Sequence, residues 1–165
     1  MEFAAPRSFR VKATTWLGTV VLLSEAALML ALTRFVPPAL GPLFRALAVL
    51  MLAGFAGAAL VAVRGYRLAD GELVVERPLW STRYSLAGLD RVARDPQALR
   101  PTVFGFGNHG FFAVNSWRRI APYGWCRVLA TDGANAVVLH TAERTLVVTP
   151  DRPDEFVARA KEWLR

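Results

Sequence analysis

Two long apolar runs near the start of the chain constrain its fold more than any other feature of the sequence. From Ala13 to Thr33 the only ionisable side chain is Glu25, and from Ala46 to Val63 there is none. At 1.5 Å of rise per residue the first run is about 30 Å long as a helix, the thickness of a bilayer's hydrocarbon core. The second is slightly short, but Leu43 and Phe44 extend it. Between them lie Pro37, Pro38, Gly41 and Pro42. No continuous helix accommodates that segment, because proline lacks the amide hydrogen and its ring clashes with the preceding turn. The pattern predicts a tight transmembrane helical hairpin over residues 13–64, a basic tail over 1–12 before it, and a separate domain over 65–165 after it.

Charge and composition fit that division. The chain is 54% hydrophobic, and the excess is concentrated in the first 64 residues, as membrane spans require. The net charge of +7 is uneven: residues 1–64 hold six basic and two acidic side chains, residues 65–165 fourteen and eleven. The C-terminal domain is therefore only mildly basic, a poor match to a dedicated nucleic-acid binder. Basic residues flank the hairpin on its outer sides, Arg7, Arg10 and Lys12 before it and Arg64, Arg67 and Arg77 after it, against Arg34 and Arg45 in the connecting loop. By the positive-inside rule the N-terminus and the C-terminal domain are expected in the cytoplasm, on a multi-pass inner-membrane protein. A cleaved leader is the alternative for the first run. Its length, its interruption by Glu25 and the second span that follows at once argue against that. The lone Cys126 forms no intramolecular disulfide and suits a reducing compartment.

Within the hairpin, Ala53/Gly57 and Gly54/Ala58 place small residues four apart, the spacing that lets helices approach closely. They are expected to pack the two helices together. Glu25 sits near mid-span, where a charged carboxylate costs about 3 kcal/mol. A proton or ion relay is one reading. A protonated carboxyl bonded inside the hairpin or to a partner subunit is the other, favoured because no second intramembrane ionisable residue accompanies it.

After Arg64 the periodicity becomes that of short strands. Gly65–Ala69 and Glu72–Glu76 flank the hairpin dipeptide Asp70-Gly71. Further strands are expected over 83–86, 89–93, 125–130, 136–140 and 144–149, with a turn over 131–135. Asp151 is read as an N-cap, Pro153 as a first-turn residue, and Phe156, Ala160, Trp163 and Leu164 as the apolar face of a closing helix. Seven strands and one amphipathic helix make an all-β barrel or sandwich with a helical cap.

Several stretches carry a family resemblance: Phe104 through Phe112, Ala130-Thr131-Asp132, Val137–Thr141, and Val147 through Phe156. From about Leu68 to Leu164 the chain resembles the bacterial pleckstrin-homology-like (PH-like) families, whose members are often preceded by two transmembrane helices. The resemblance implies a membrane-anchored, mainly-β PH-like barrel or sandwich capped by a C-terminal helix. It implies little about ligand, and supplies no catalytic residues to carry over.

Three constellations match sites of chemistry in residue type alone. Gly105-x-Gly107-x-x-Gly110 matches the dinucleotide fingerprint in letters, but neither the upstream strand nor the downstream helix of a βαβ unit is in place. Positive-φ turns or close backbone approach explain those glycines better. His109 and His140 have no His or Cys at ligand spacing, so no metal site is expected. Ser116, His140 and Asp132 make a hydrolase trio only on paper, without a nucleophile elbow. No catalytic residue, cofactor or small-molecule substrate is assigned, and the chain is read as a non-enzyme.

The richer feature is the aromatic–arginine segment. Phe104, Phe106, Phe111, Phe112, Trp117, Tyr123 and Trp125 crowd one stretch, with His109, Arg118 and Arg119 among them. The aromatics fill the core, or form a membrane-interface loop, or form a protein-docking patch. Almost no linker separates Val63 from the strand at Tyr66, which presses the domain against the bilayer. The favoured reading is a membrane-tethered binding module whose segment 104–119 meets a protein partner, a second copy, or lipid headgroups. A small transport or channel component using Glu25 is the alternative.

Overall fold

The computed structural model describes residues 1–100 and 105–164. Its order begins with a short strand β1 (Glu2–Ala4), followed by helices α1 (Phe9–Leu32) and α2 (Gly41–Leu60). Strands β2 (Gly65–Ala69), β3 (Glu72–Glu76), β4 (Ser81–Ser85) and β5 (Leu89–Arg94) come next, then β6 (Gly105–His109), β7 (Val114–Ile120) and β8 (Gly124–Ala130). A 3₁₀ turn (Gly133–Asn135), β9 (Val137–Thr141), β10 (Thr145–Val148), helix α3 (Pro153–Ala160) and a last 3₁₀ turn (Lys161–Trp163) complete it, so the expected helix residues Trp163 and Leu164 lie beyond α3.

Both N-terminal helices are long and apolar enough to cross a membrane. Their outer faces expose Trp16, Leu17, Leu23, Leu28, Leu47, Val49 and Leu50, side chains with no place in water at that density. Ser8 caps α1 by accepting from the Val11 amide, and Pro42 opens α2, where its missing amide hydrogen is no loss. The two helices meet through Ala26 and Ala48, both buried. The small-residue stripe expected at that contact is turned away from it: a Cβ at Gly54 or at Gly57 would meet nothing within 4 Å. Glu25 is likewise exposed on the outside of α1 rather than bonded inside the hairpin.

The C-terminal domain is two sheets with a helix. β1-β2-β3-β4 form one antiparallel sheet, and β5-β9-β10-β8-β7-β6 the other, in which β10 runs parallel to β8. Asp70 (φ 53°) and Gly71 (φ 72°) give the β2–β3 turn two successive left-handed residues, the geometry of a tight hairpin. The inward faces bury Leu68, Leu73 and Val75 from the first sheet against Leu129, Leu139 and Leu146 from the second. Phe156 of α3 closes the core, with its ring edge-on to Phe3 at 5.1 Å and to Tyr66 at 6.5 Å. The helix starts at Pro153 after Arg152, and not from an Asp151 cap; Asp151 instead accepts from the Arg152 amide while Asp154 and Glu155 occupy the first turn.

Two elements depart from the sequence reading. Residues 2–4 lie in the supposed basic tail, yet they add β1 to the edge of β2, with Phe3 opposite Tyr66. The burial of Phe3, only 2% exposed, drives this. The glycine-rich stretch is a β6–β7 hairpin, not a loop, and it forms the edge of the larger sheet. Gly107 sits there at φ 118°, and a Cβ on it would lie 2.7 Å from the Asn115 carbonyl oxygen. That is the close backbone approach only glycine permits.

Candidate functional site

The β6–β7 turn grips the helical hairpin. Asn108 Oδ1 accepts from the amides of Gly110 (3.1 Å) and Phe111 (2.9 Å), while its Nδ2 donates to the Phe111 carbonyl at 2.6 Å. The clasp forces Phe112 to φ 62°, unusual for a bulky residue, and the Phe112 amide donates to Thr15 Oγ1 of α1 at 2.8 Å. The Phe111 ring lies on the bare backbone of Gly18, so close that a Cβ there would overlap its Cε1. Phe55 of α2 meets both rings, Phe111 at 6.4 Å and Phe112 at 5.2 Å. Gly18 lies in the first half of α1 and Phe55 in the last third of α2, the halves of the hairpin nearer the domain. Phe111 and Phe112 are therefore half-buried wedges between domain and hairpin, not a free patch.

A second clamp holds the other helix. The Arg77 guanidinium donates to the Val61 carbonyl at the end of α2 and, through Nε, to Thr82 Oγ1 at 3.1 Å. A cation on the carbonyl end of a helix is favourably placed. Burial pulls the Arg77 pKa down, against the pull of Tyr84 in the opposite direction. The start of α1 is pinned by the Ser8 amide on the Thr131 carbonyl, 3.0 Å.

The other members of the segment separate. Phe106 is 62% exposed and pairs with the half-exposed Trp125 at 6.0 Å between ring centres. Arg119 is exposed beside Trp125 across the β7–β8 register. Trp117 is half-buried under the Arg127 guanidinium, 5.7 Å from the ring centre, and Arg127 also donates to Asn115. Tyr123 bonds Asp95 at 2.9 Å. Arg118 is half-buried, donates to Ser116 Oγ at 3.2 Å, and has its pKa lowered first by desolvation and then by the charge of Arg10. Phe104 and the side chain of His109 lie outside the described residues.

Beneath the first turns of α1 lies a groove of about 580 Å³. Arg10 and Thr14 of α1 form one wall, Arg118 and Val114 of β7 the other, and Thr131 and Asp132 close its end. The sequence reading named Arg118 but had no means of pairing it with Arg10.

A mainly-β domain of two sheets with a closing helix directly follows the two apolar helices. The family model described as bacterial PH domain matches residues 64–163. This chain belongs to the bacterial PH domain family. No curated protein and no solved structure matches it. The PH match begins at Arg64, where α2 has ended, and runs to Trp163, so β1 and the two helices lie outside the family's own span.

The geometry of this PH domain also speaks to the paper hydrolase. Ser116 on β7 and His140 on β9 are three strands apart, about 14 Å at the usual strand spacing. His140 Nδ1 is bonded to Thr145 Oγ1 at 2.7 Å, and Asp132 accepts from the Ala134 amide at 3.2 Å. The trio is not brought together. The buried polar cluster that the sequence did not reveal is structural: Tyr66 donates to the Leu129 carbonyl at 2.6 Å, and Thr149 links Tyr66 to the Thr131 amide. Burial pushes the Tyr66 phenol up to about 12. It pushes the Cys126 thiol up to about 11, away from reactivity.

Proposed function

We propose that this chain is a membrane-anchored, non-enzymatic PH-like module that binds lipid headgroups or a protein partner at the membrane surface. The observation that carries the reading is the joint between domain and helices. The β6–β7 turn packs on Gly18 and Phe55, Arg77 caps α2, and Ser8 ties α1 to the end of β8. With the helices in a bilayer, these contacts hold one face of the domain at headgroup level without a swinging linker. Trp16, exposed on α1 between the joint residues Thr15 and Gly18, suits the interfacial aromatic belt. The basic flanks Arg7, Arg10, Lys12, Arg64, Arg67 and Arg77, against Arg34 and Arg45 in the connecting loop, support a reading with that face and the N-terminus on the cytoplasmic side of the inner membrane. Phe106, Trp125 and Arg119 form the exposed surface left for a partner, with the residue types that dominate interface hot spots.

Two measurements test this. Alkaline washing of membranes should leave the chain in the pellet; release into the supernatant refutes anchoring. A photoreactive side chain at Phe106 should then yield a discrete adduct in native membranes. A protein adduct identifies a docked partner and a phospholipid adduct an interfacial face, whereas no adduct refutes the binding role of this surface.

A further inference from the structure

Two hairpin turns lie at the helix end of the domain, and only one of them is packed. Phe111 and Phe112 of the β6–β7 turn rest on the helices, as described above. The other is the β3–β4 turn over residues 77–80. α2 ends at Leu60 and β2 starts at Gly65, so β2 runs away from the helices and β3 returns to them, with Glu76 opposite Gly65. The turn that follows Glu76 is therefore level with the end of α2. Three bonds fix it there. The Arg64 amide donates to the Glu76 carbonyl at 2.8 Å, the Arg77 amide to the Trp80 carbonyl at 2.9 Å, and the Arg77 guanidinium to the Val61 carbonyl.

The tip of this turn is apolar and uncovered. Leu79 is 74% exposed and Trp80 45%, while Arg77 beside them is buried. Turns at the far end of the domain have the opposite character. Asp70-Gly71 joins β2 to β3 there, and residues 142–144, with Glu143 and Arg144, join β9 to β10. That second turn is distal because β10 runs parallel to β8, whose end meets Ser8 at the start of α1. Neither Leu79 nor Trp80 carries a charge with which to hold a polar ligand. Leu60, the last residue of α2, is itself exposed, so the apolar surface of the helix continues towards the tip. That continuity names the occupant: the bilayer that surrounds the helix. A tryptophan at headgroup depth with a leucine at the acyl boundary is the pairing an interfacial segment uses.

We propose that the β3–β4 turn is a third membrane contact, with Leu79 and Trp80 inserted into the bilayer interface beside α2, whatever the lipid headgroup. The inference rests on the membrane-anchored reading above. It adds a lipid contact to the protein joint, and the two together fix the tilt of the domain.

The test places a single cysteine at Leu79 in the full chain, labels it with an NBD fluorophore and reconstitutes it in phosphatidylcholine vesicles containing nitroxide-labelled lipid. Cys126 is buried, so wild type carried through the same labelling is the blank. L79C changes an exposed side chain and should unfold at the wild-type temperature; W80C repeats the measurement from the neighbouring position. E143C, exposed on the far turn, is the reference. A nitroxide near the top of the acyl chain should quench the labels at Leu79 and Trp80 about threefold more than the label at Glu143. Adding phosphatidylglycerol should leave that ratio unchanged. Equal quenching at the two ends of the domain overturns the proposal. So does a difference seen only with phosphatidylglycerol, which would mark recognition of a headgroup instead of insertion. Alkaline washing separates the two readings. Release of wild type from the pellet refutes the anchoring, whereas retention of wild type with unquenched labels at Leu79 and Trp80 refutes the turn alone.

Discussion

Gly18→Ala probes the joint between domain and hairpin with a single methyl group. The added Cβ would overlap Phe111 Cε1 and lie 2.7 Å from Cζ and 3.1 Å from Cδ1. The ring has little room to retreat, because Phe55 stands edge-on to it at 6.4 Å and Asn108 clasps both the amide and the carbonyl of Phe111. Overpacking of this kind costs about 1–3 kcal/mol. Alanine in place of glycine within a helix returns about 1 kcal/mol. The net loss should be up to about 2 kcal/mol, a fall of roughly 2–8 °C in Tm for a chain of this size. Phe111→Ala alone removes a half-buried ring and should cost about 1–3 kcal/mol, below the range for fully buried phenylalanine. The combination decides the matter. With the ring gone, Gly18→Ala has nothing to strike and should be neutral or stabilising by up to about 1 kcal/mol. Thermal unfolding of the four proteins in one detergent, followed by circular dichroism, reads the cycle. An equal effect of Gly18→Ala with and without the Phe111 ring would refute the packing of that turn on α1.

Two further outcomes follow from the geometry. Tyr66 keeps its proton in the folded chain to about pH 12, whereas the unfolded phenol releases it near 10. Stability should therefore be intact below pH 10 and fall between 10 and 12 by about 2–3 kcal/mol, and Tyr66→Phe should flatten that fall; an unchanged slope in urea titrations across this range would contradict the burial of the phenol. Glu25 faces outward from the hairpin, so Glu25→Leu should favour insertion of the first span by about 3 kcal/mol in a translocon assay. Glu25→Gln should leave proton flux in proteoliposomes unchanged, and lost flux would instead establish the transport reading.

How much of this was legible in the sequence depended on how local the cause was. The helical hairpin follows from two charge-poor runs and a proline cluster, and the β2–β3 turn from Asp70-Gly71 alone. Strand β1 was not legible: three residues with one large apolar side chain carry no periodicity, and Phe3 becomes a strand residue only because Tyr66 and Phe156 wait for it. The β6–β7 hairpin was hidden by its glycines, which weaken strand propensity but are needed for close approach at Ser116 and Asn115. Nothing local says that β10 inserts between β8 and β9, parallel to β8. The aromatic–arginine segment stands out in the sequence, but its division into a wedge (Phe111, Phe112) against α1 and α2 and an exposed pair (Phe106, Trp125) on the sheet comes from contacts distant in sequence, up to 97 residues for Phe112 on Thr15. Asp151 misled because it sits two residues before a proline that itself starts the helix.

A disulfide tests most directly whether the domain is clamped to its two apolar helices. A Cβ on Gly110 would lie 3.9 Å from the Thr14 Cβ, inside the range that disulfides span. Cys126 is buried with its thiol pushed up to about 11, so it stays a bystander. T14C/G110C in native membranes, treated with a mild oxidant, should convert to a faster-migrating, reducible species within one chain. The same treatment should leave T14C paired with a cysteine at Trp80, on the β3–β4 turn, uncoupled. Closure of the remote pair as readily as T14C/G110C would mean that the domain swings free of its helices.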